Sequence, residues 1–168
     1  MGRIIQPASV PGGSAVPDVS SMFYTTGQTF KNGAILIPDA ATGRVIEGAS
    51  AAVTIIGVAL EDAGSKPGFS LNFDSLVQTR TGTVQEVSVA KGNRTTVFSS
   101  RMINGGTDPV TPVQADQNKK YGLIRTAAGE WAVNQADVTT VAVLITDFDD
   151  FNKIVFWKFL EAVLVLTA

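Results

Sequence analysis

The chain's 168 residues include 13 Lys and Arg against 15 Asp and Glu, a net charge of -2, with 17% charged and 45% hydrophobic residues. Ordinary globular domains carry about 25% charged residues, so an unusual share of this surface is neutral or apolar, and no Lys/Arg cluster offers the phosphate-neutralising stripe of a nucleic-acid binder. The chain has neither Cys nor His, which excludes disulfides, thiolate chemistry, Cys-based metal sites, the commonest general base and the Ser-His-Asp triad.

A chain of this length buries about 70% of its unfolded surface and forms one domain, or one domain behind an arm. Residues 1–21 carry Pro7, Pro11, Pro17, Gly12 and Gly13 among Ser, Ala and Val. Such a composition favours extended backbone with few internal hydrogen bonds. Its apolar residues Ile4, Ile5, Val10 and Val16 point to an arm that orders on a neighbouring subunit or partner; the plain alternative is a disordered terminus. The segment lacks a signal peptide's apolar core, so synthesis in the cytoplasm is expected. It also has Gln6 where the myristoylation pattern wants Ser or Thr.

From Phe30 onward the pattern is β, and residues 22–168 read as one β-rich body. "GAILIP" is a short strand stopped by Pro38, followed by a turn at Thr42-Gly43 and by "AVTIIGVAL". Gly57 inside that last run predicts a bulge or a close backbone approach. "TVQEVSVA" and "TTVFSS" flank a Lys91-Gly92-Asn93 turn and read as a hairpin, with a long Gly/Pro-containing loop at 101–120 after them. "YGLIRTAAGEWAVN" reads as a second hairpin turning at Gly129, and "DFDDFN" as the turn of a third. The apolar run "KIVFWKFLEAVLVL" reads as a strand buried on both faces; a helix over residues 157–166 has no capping signal and Val163, Val165 and Thr167 oppose it. At Lys158 and Glu161, and at this length, it is no membrane helix. Short strands with frequent turn signals add up to a β-sandwich or a partly open β-barrel.

No motif carries chemistry. "GASAA" around Ser50 lacks the second Gly of a nucleophile elbow and any His as base, and neither Lys66 nor Lys91 stands at a recognisable spacing from a Ser. Asp147, Asp149 and Asp150 could offer oxygens to a hard cation but lack the calcium loop's Gly and distal Glu, so a solvated turn is the better reading. Asn93-Arg94-Thr95 matches a glycosylation acceptor without a secretory signal. Trp131, Trp157, Phe156 and Phe159 read as core or interface anchors rather than a sugar-stacking platform. No catalytic, cofactor or metal site is expected.

The run "GQTFKNGAILIPDAATGRVIEGASAAVTIIGVALEDAG", with "VAVLITDFDDFNKIVFWKFL" near the end, resembles the capsid decoration, or head cement, proteins of tailed bacteriophages. The likeness covers residues 27–64 and 138–160 and lies in strand pattern, not in active-site residues. It implies a β-tulip-like body behind an N-terminal arm, and a non-enzymatic virion protein on the capsid exterior that clamps neighbouring major-capsid subunits. It further implies a homotrimer at threefold or quasi-threefold positions with the major capsid protein as partner; the charge pattern and the short apolar runs set nucleic acid and membrane aside. Ile4, Ile5, Val10, Pro11 and Val16 would then contact the capsid, and Phe156, Trp157, Phe159, Leu160 and Val163 would form the subunit interface. Three arms on one trimer would bind collectively. Deleting residues 1–20 would abolish shell binding and leave the body folded. One rival is a carbohydrate- or receptor-binding module of a virion fibre, which needs exposed Trp residues. Another is a hydrolase using Asp147 and Asp150, or Glu86 and Glu130.

Overall fold

The computed structural model describes residues 5–8, 17–64, 66–67, 83–106 and 108–165. Its strands are β1 (Gln6–Pro7), β2 (Val19–Phe23), β3 (Ile35–Pro38), β4 (Val45–Glu47), β5 (Gly57–Ala59), β6 (Lys66–Pro67) and β7 (Thr83–Val84). They continue with β8 (Glu86–Lys91), β9 (Phe98–Ile103), β10 (Lys120–Arg125), β11 (Trp131–Asn134), β12 (Val143–Asp149) and β13 (Ile154–Phe159). The chain is mainly β, with a barrel-like sheet and a second sheet, as the turn-punctuated pattern predicts.

The first sheet runs β1-β9-β11-β10-β12-β13, and β9 also pairs with β13, so five of its strands close into a barrel. Closure leaves those strands without open edges inside the ring. The second sheet runs β2-β8-β5-β3-β4. An isolated parallel bridge between Tyr24 and Val45 joins its two ends, and the Thr25 N–H donates to the Val45 carbonyl at 3.1 Å. Among the described residues, strands β6 and β7 pair only with each other.

Three turns form where the sequence places them. Gly43 (φ 66°) turns β3 into β4, Gly129 (φ 81°) turns β10 into β11, and residues 150–153 turn β12 into β13 with Lys153 at φ 56°. The expected hairpin across Lys91-Gly92-Asn93 does not form, because β8 and β9 belong to different sheets. The Gly92 N–H is taken by the Ile56 carbonyl at 2.8 Å, and Asn93 Oδ1 accepts from the N–H groups of Thr95 and Thr96. These bonds turn the chain across from one sheet to the other. Gly57 fulfils the close-approach expectation: a Cβ there would stand 2.2 Å from the Ala90 carbonyl oxygen of β8.

The apolar run near the end differs from the two-faced strand expected. In β13, Val155, Trp157 and Phe159 are buried while Phe156 and Lys158 are half-buried, which is ordinary alternation. The strand ends at Phe159, and residues 161–163 form a 3₁₀ turn that the strand reading did not foresee. Past it, the chain crosses to the second sheet, where Ile55 donates its N–H to the Val163 carbonyl at 2.6 Å and accepts from the Val165 N–H at 2.9 Å.

One hydrophobic cluster runs through both sheets. At its centre Trp157 stacks on Phe98, centroids 5.1 Å apart, and meets Phe159 edge-on at 5.0 Å. Each such pair contributes about 0.5–1.5 kcal/mol beyond its area. The indole N–H donates to Ser100 Oγ at 2.9 Å, so this buried donor is satisfied. Polar contacts reinforce the contact between the sheets. Glu47 Oε1 accepts from Arg125 Nε at 2.8 Å and from Trp131 Nε1 at 3.0 Å. Ser50 Oγ accepts from the Arg125 N–H at 3.0 Å, so Ser50 serves as a brace between the sheets.

The 101–120 segment is less of a loop than its composition implies. It begins inside β9, is bridged from Ile103 to Pro109, and tightens into a 3₁₀ turn at Gln114–Asp116. Its anchor is the buried Asp116 carboxylate, which accepts from Tyr121 Oη at 2.7 Å, the Val113 N–H at 2.9 Å and Gln135 Nε2 at 3.0 Å. Burial pushes this carboxyl upward, but those three hydrogen bonds, helped by nearby Lys119, outweigh it and hold the group below the ordinary carboxylate range. Burial first, and then the bond to Asp116, push the Tyr121 hydroxyl up to about 12. Asp116 therefore contributes stability that is present above the unfolded carboxyl value of about 4 and is lost as pH falls through its lower folded value. Tyr121 contributes stability that is complete below about pH 10 and is lost as pH rises toward its folded value. Asp116→Asn keeps the shape but sets an amide against one of the three donors. It should cost about 2 kcal/mol at neutral pH and flatten the acid limb of a stability-against-pH curve measured by urea denaturation.

Candidate partner interface

Strand β2 lies at one end of the second sheet's order, and among the described residues nothing pairs with its outer edge before Tyr24. Its sequence, Val19-Ser20-Ser21-Met22-Phe23, contains none of the Lys, Pro or Gly that usually blunt an edge. Alternation turns Val19 and Phe23 outward, at 50% and 58% exposure, and turns Ser20 and Met22 inward. The strand is thus an uncharged edge, with exposed Val19, Ser21 and Phe23, on which β structure can be added. Flanking charges are occupied nearby: Asp18 lies 3.5 Å from Lys91, and Glu86 accepts from Ser21 Oγ.

Beside β2 an open groove of ≈ 500 Å³ runs between Met22 and Phe23, the Thr42–Arg44 turn and Ile56. Its far wall is rigid. Asp39 Oδ2 accepts from Thr42 Oγ1 at 2.6 Å and from Thr25 Oγ1 at 2.8 Å, and Asp39 Oδ1 from the Ala41 N–H at 3.0 Å. The Thr42 bond foremost, then those from Thr25 and Ala41, holds the Asp39 carboxyl below its ordinary range. The turn's shape is thereby fixed to the segment that follows β2, so strand edge and groove form one preset surface.

The barrel shows a different feature at the end away from Glu47 and Ser50. There the β12–β13 turn presents Phe151 at 91% exposure. The carboxylates beside it bind their own turn: Asp149 accepts from Asn152 N–H and Nδ2, Asp150 from the Phe151 N–H, and Asp147 from the Phe148 N–H. The solvated-turn reading of this acidic run describes them well. Glu86, on β8, and Glu130, at the β10–β11 turn, lie in different sheets.

The residues singled out from the sequence fall into three groups. Ile4, Val10, Pro11 and Val16 lie outside the described residues. Ile5, expected on a capsid partner, is instead 0% exposed in the chain's own core, and β1 just after it pairs with β9. Strand β2 also straddles the expected end of the arm at residue 21. In the expected subunit interface, Trp157, Phe159 and Val163 are buried in the core of a single chain, and only Phe156 and Leu160 remain half-buried. That is a correction with a simple cause: β13 closes the barrel, so Trp157 and Phe159 face its interior and not a neighbour, and Val163, in the 3₁₀ turn after it, packs into the same core. Trp131 is 3% exposed, so neither indole offers the face that a sugar platform at these positions needs.

Sequence reasoning missed Val19 and Phe23. The apolar residues of "VSSMF" fall at 19, 22 and 23, which is no period-2 pattern, so the edge strand was not legible; Val19 lay within the expected arm of residues 1–21 and Phe23 just inside the body. Among the described residues no helix is long and apolar enough to cross a membrane. Set against protein-family models, curated proteins and solved structures, the chain finds no match in any of the three.

Proposed function

We propose that this protein is a non-enzymatic capsid decoration protein, which binds the exterior of a tailed-phage head and stabilises it by bridging neighbouring major-capsid subunits. The observation that carries the reading is the β2 edge: a strand without charge, paired on one side among the described residues, with Val19 and Phe23 outward beside a rigid groove. An uncharged edge of this kind gains affinity through main-chain hydrogen bonds and specificity through side-chain pockets. The neutral surface composition and the family resemblance support the same reading. The protein acts as a homotrimer on the virion, so that three modest contacts become one tight attachment.

The test uses expanded heads from a phage whose copy of this coding sequence has been deleted. Wild-type protein should cosediment with them and raise their thermal stability. Val19→Lys with Phe23→Lys should lose at least tenfold in affinity while leaving the unfolding midpoint near wild type, because both side chains are exposed and edge charges oppose strand addition. Wild-type protein that stays in the supernatant overturns the reading, as does a double variant that binds undiminished.

A further inference from the structure

The chain holds two Asn-Gly pairs, Asn32-Gly33 and Asn104-Gly105. A following glycine leaves its amide nitrogen unshielded by any Cβ and its backbone free to bring that nitrogen toward the asparagine side chain. In the reaction this permits, base removes the glycine N–H proton and the nitrogen attacks the asparagine Cγ. The N–Cγ bond forms, the Cγ–Nδ2 bond breaks, and ammonia leaves. Water then opens the resulting succinimide to aspartate or isoaspartate.

In both pairs the fold occupies the attacking N–H, but by unlike means. The Gly33 N–H donates to the Ala59 carbonyl at 2.8 Å, and Gly33 is buried beside β5. Backbone holds backbone there, inside the second sheet. Asn104 and Gly105 are both exposed, and the Gly105 N–H donates instead to a side chain, Asn134 Oδ1, at 3.0 Å. The same oxygen accepts from the Ala136 N–H at 3.1 Å, which keeps it turned toward the loop. Asn134 itself is fixed by its place on β11, opposite Gly122 on one side and Ile103 on the other.

We propose that Asn104 is a site of spontaneous deamidation, and that Asn134 restrains the reaction by holding the Gly105 N–H away from the Asn104 side chain. To react, Gly105 must first break the bond to Asn134 and then swing its nitrogen round. Isoaspartate at 104 would add a methylene to the main chain and a negative charge directly after β9, beside the parallel β9–β11 pairing.

The experiment is peptide mapping by mass spectrometry on protein kept at mildly alkaline pH, natively and in urea, with isoaspartate scored enzymatically. Native wild-type protein should deamidate at Asn104 more slowly than in urea. In Asn134→Ala the native rate at Asn104 should rise about fivefold, the factor that corresponds to one hydrogen bond of about 1 kcal/mol, while Asn32 stays slow. Hydrogen exchange at the Gly105 amide should accelerate with it. A folded Asn134→Ala protein with an unchanged Asn104 rate overturns the proposal. If that variant unfolds, as acceleration at Asn32 would reveal, the wild-type comparison decides: an Asn104 rate equal in native buffer and urea overturns the proposal, and a slower native rate with a protected Gly105 amide sustains it.

Discussion

Removal of residues 1–8 should destabilise the protein by about 3–5 kcal/mol, a large part of the 5–15 kcal/mol that holds a typical domain together. The reason lies in Ile5 and the two residues after it. Ile5 is fully buried in the common core, and truncating a buried Ile to Ala alone costs about 2–5 kcal/mol. Beyond it, Gln6 and Pro7 lie opposite Ser99 and Phe98, and the Ala8 N–H donates to the Val97 carbonyl at 2.8 Å. Those residues of β9 are the ones that also meet Trp157 and Phe156 across the barrel closure. Urea denaturation followed by tryptophan fluorescence measures the loss, and an unchanged midpoint would refute the inward role of Ile5. The result bears on function, since deletion of residues 1–20 removes Ile5 and part of β2 together. Loss of shell binding in such a truncation would report damage to the body as much as loss of an arm. Replacing residues 9–16 by a Gly/Ser tract of equal length leaves β1 and β2 in place and tests the arm alone.

Gly57→Ala should cost about 3 kcal/mol or more, unusually much for the addition of one methyl group. The new Cβ would lie 2.2 Å from the Ala90 oxygen and 3.0 Å from both the Ala90 carbonyl carbon and Lys91 Cα. All three are backbone atoms of β8, which is held from the other side by β2. A flexible side chain would yield at little cost, but a strand with neighbours on both edges must shift as a unit. Gly64→Ala is the matched control, because nothing stands within 4 Å of its added methyl, and it should change stability by less than about 0.5 kcal/mol. Equal unfolding midpoints for the two variants would refute the close-approach account.

The contrast between Gly57 and the run around it shows what was legible in this sequence. Local chemistry read well: Gly43 and Gly129 occupy left-handed positions in the turns where they were expected, and the acidic run at 147–150 serves a hairpin turn. Partnership between strands read poorly. "TVQEVSVA" and "TTVFSS" are both strands, yet they join different sheets, because alternation and turn residues describe a strand's faces and never name its neighbour. Likewise the apolar residues from Ile55 to Ala59 form only a three-residue strand, Gly57–Ala59. Ile55 instead bridges to Leu164, a pairing that no local pattern encodes. The candidate interface was not legible. Its exposed residues alternate in the folded strand as an edge strand's should, but the expected arm boundary at residue 21 cut β2 in two, leaving Val19 in the arm and Phe23 in the body.

Trp157 and Ser100, joined by a hydrogen bond inside the barrel, stand 57 residues apart along the chain. The ring closes only when β13 returns to β9, after three further strands, β10, β11 and β12, have intervened in the chain. Closing so long a loop precedes the reward of the contacts it brings, which places slow, late closure on the folding path. In a crowded cell that interval is when two unfinished copies meet, and exchange of β13 between them is the error to which this topology is most open.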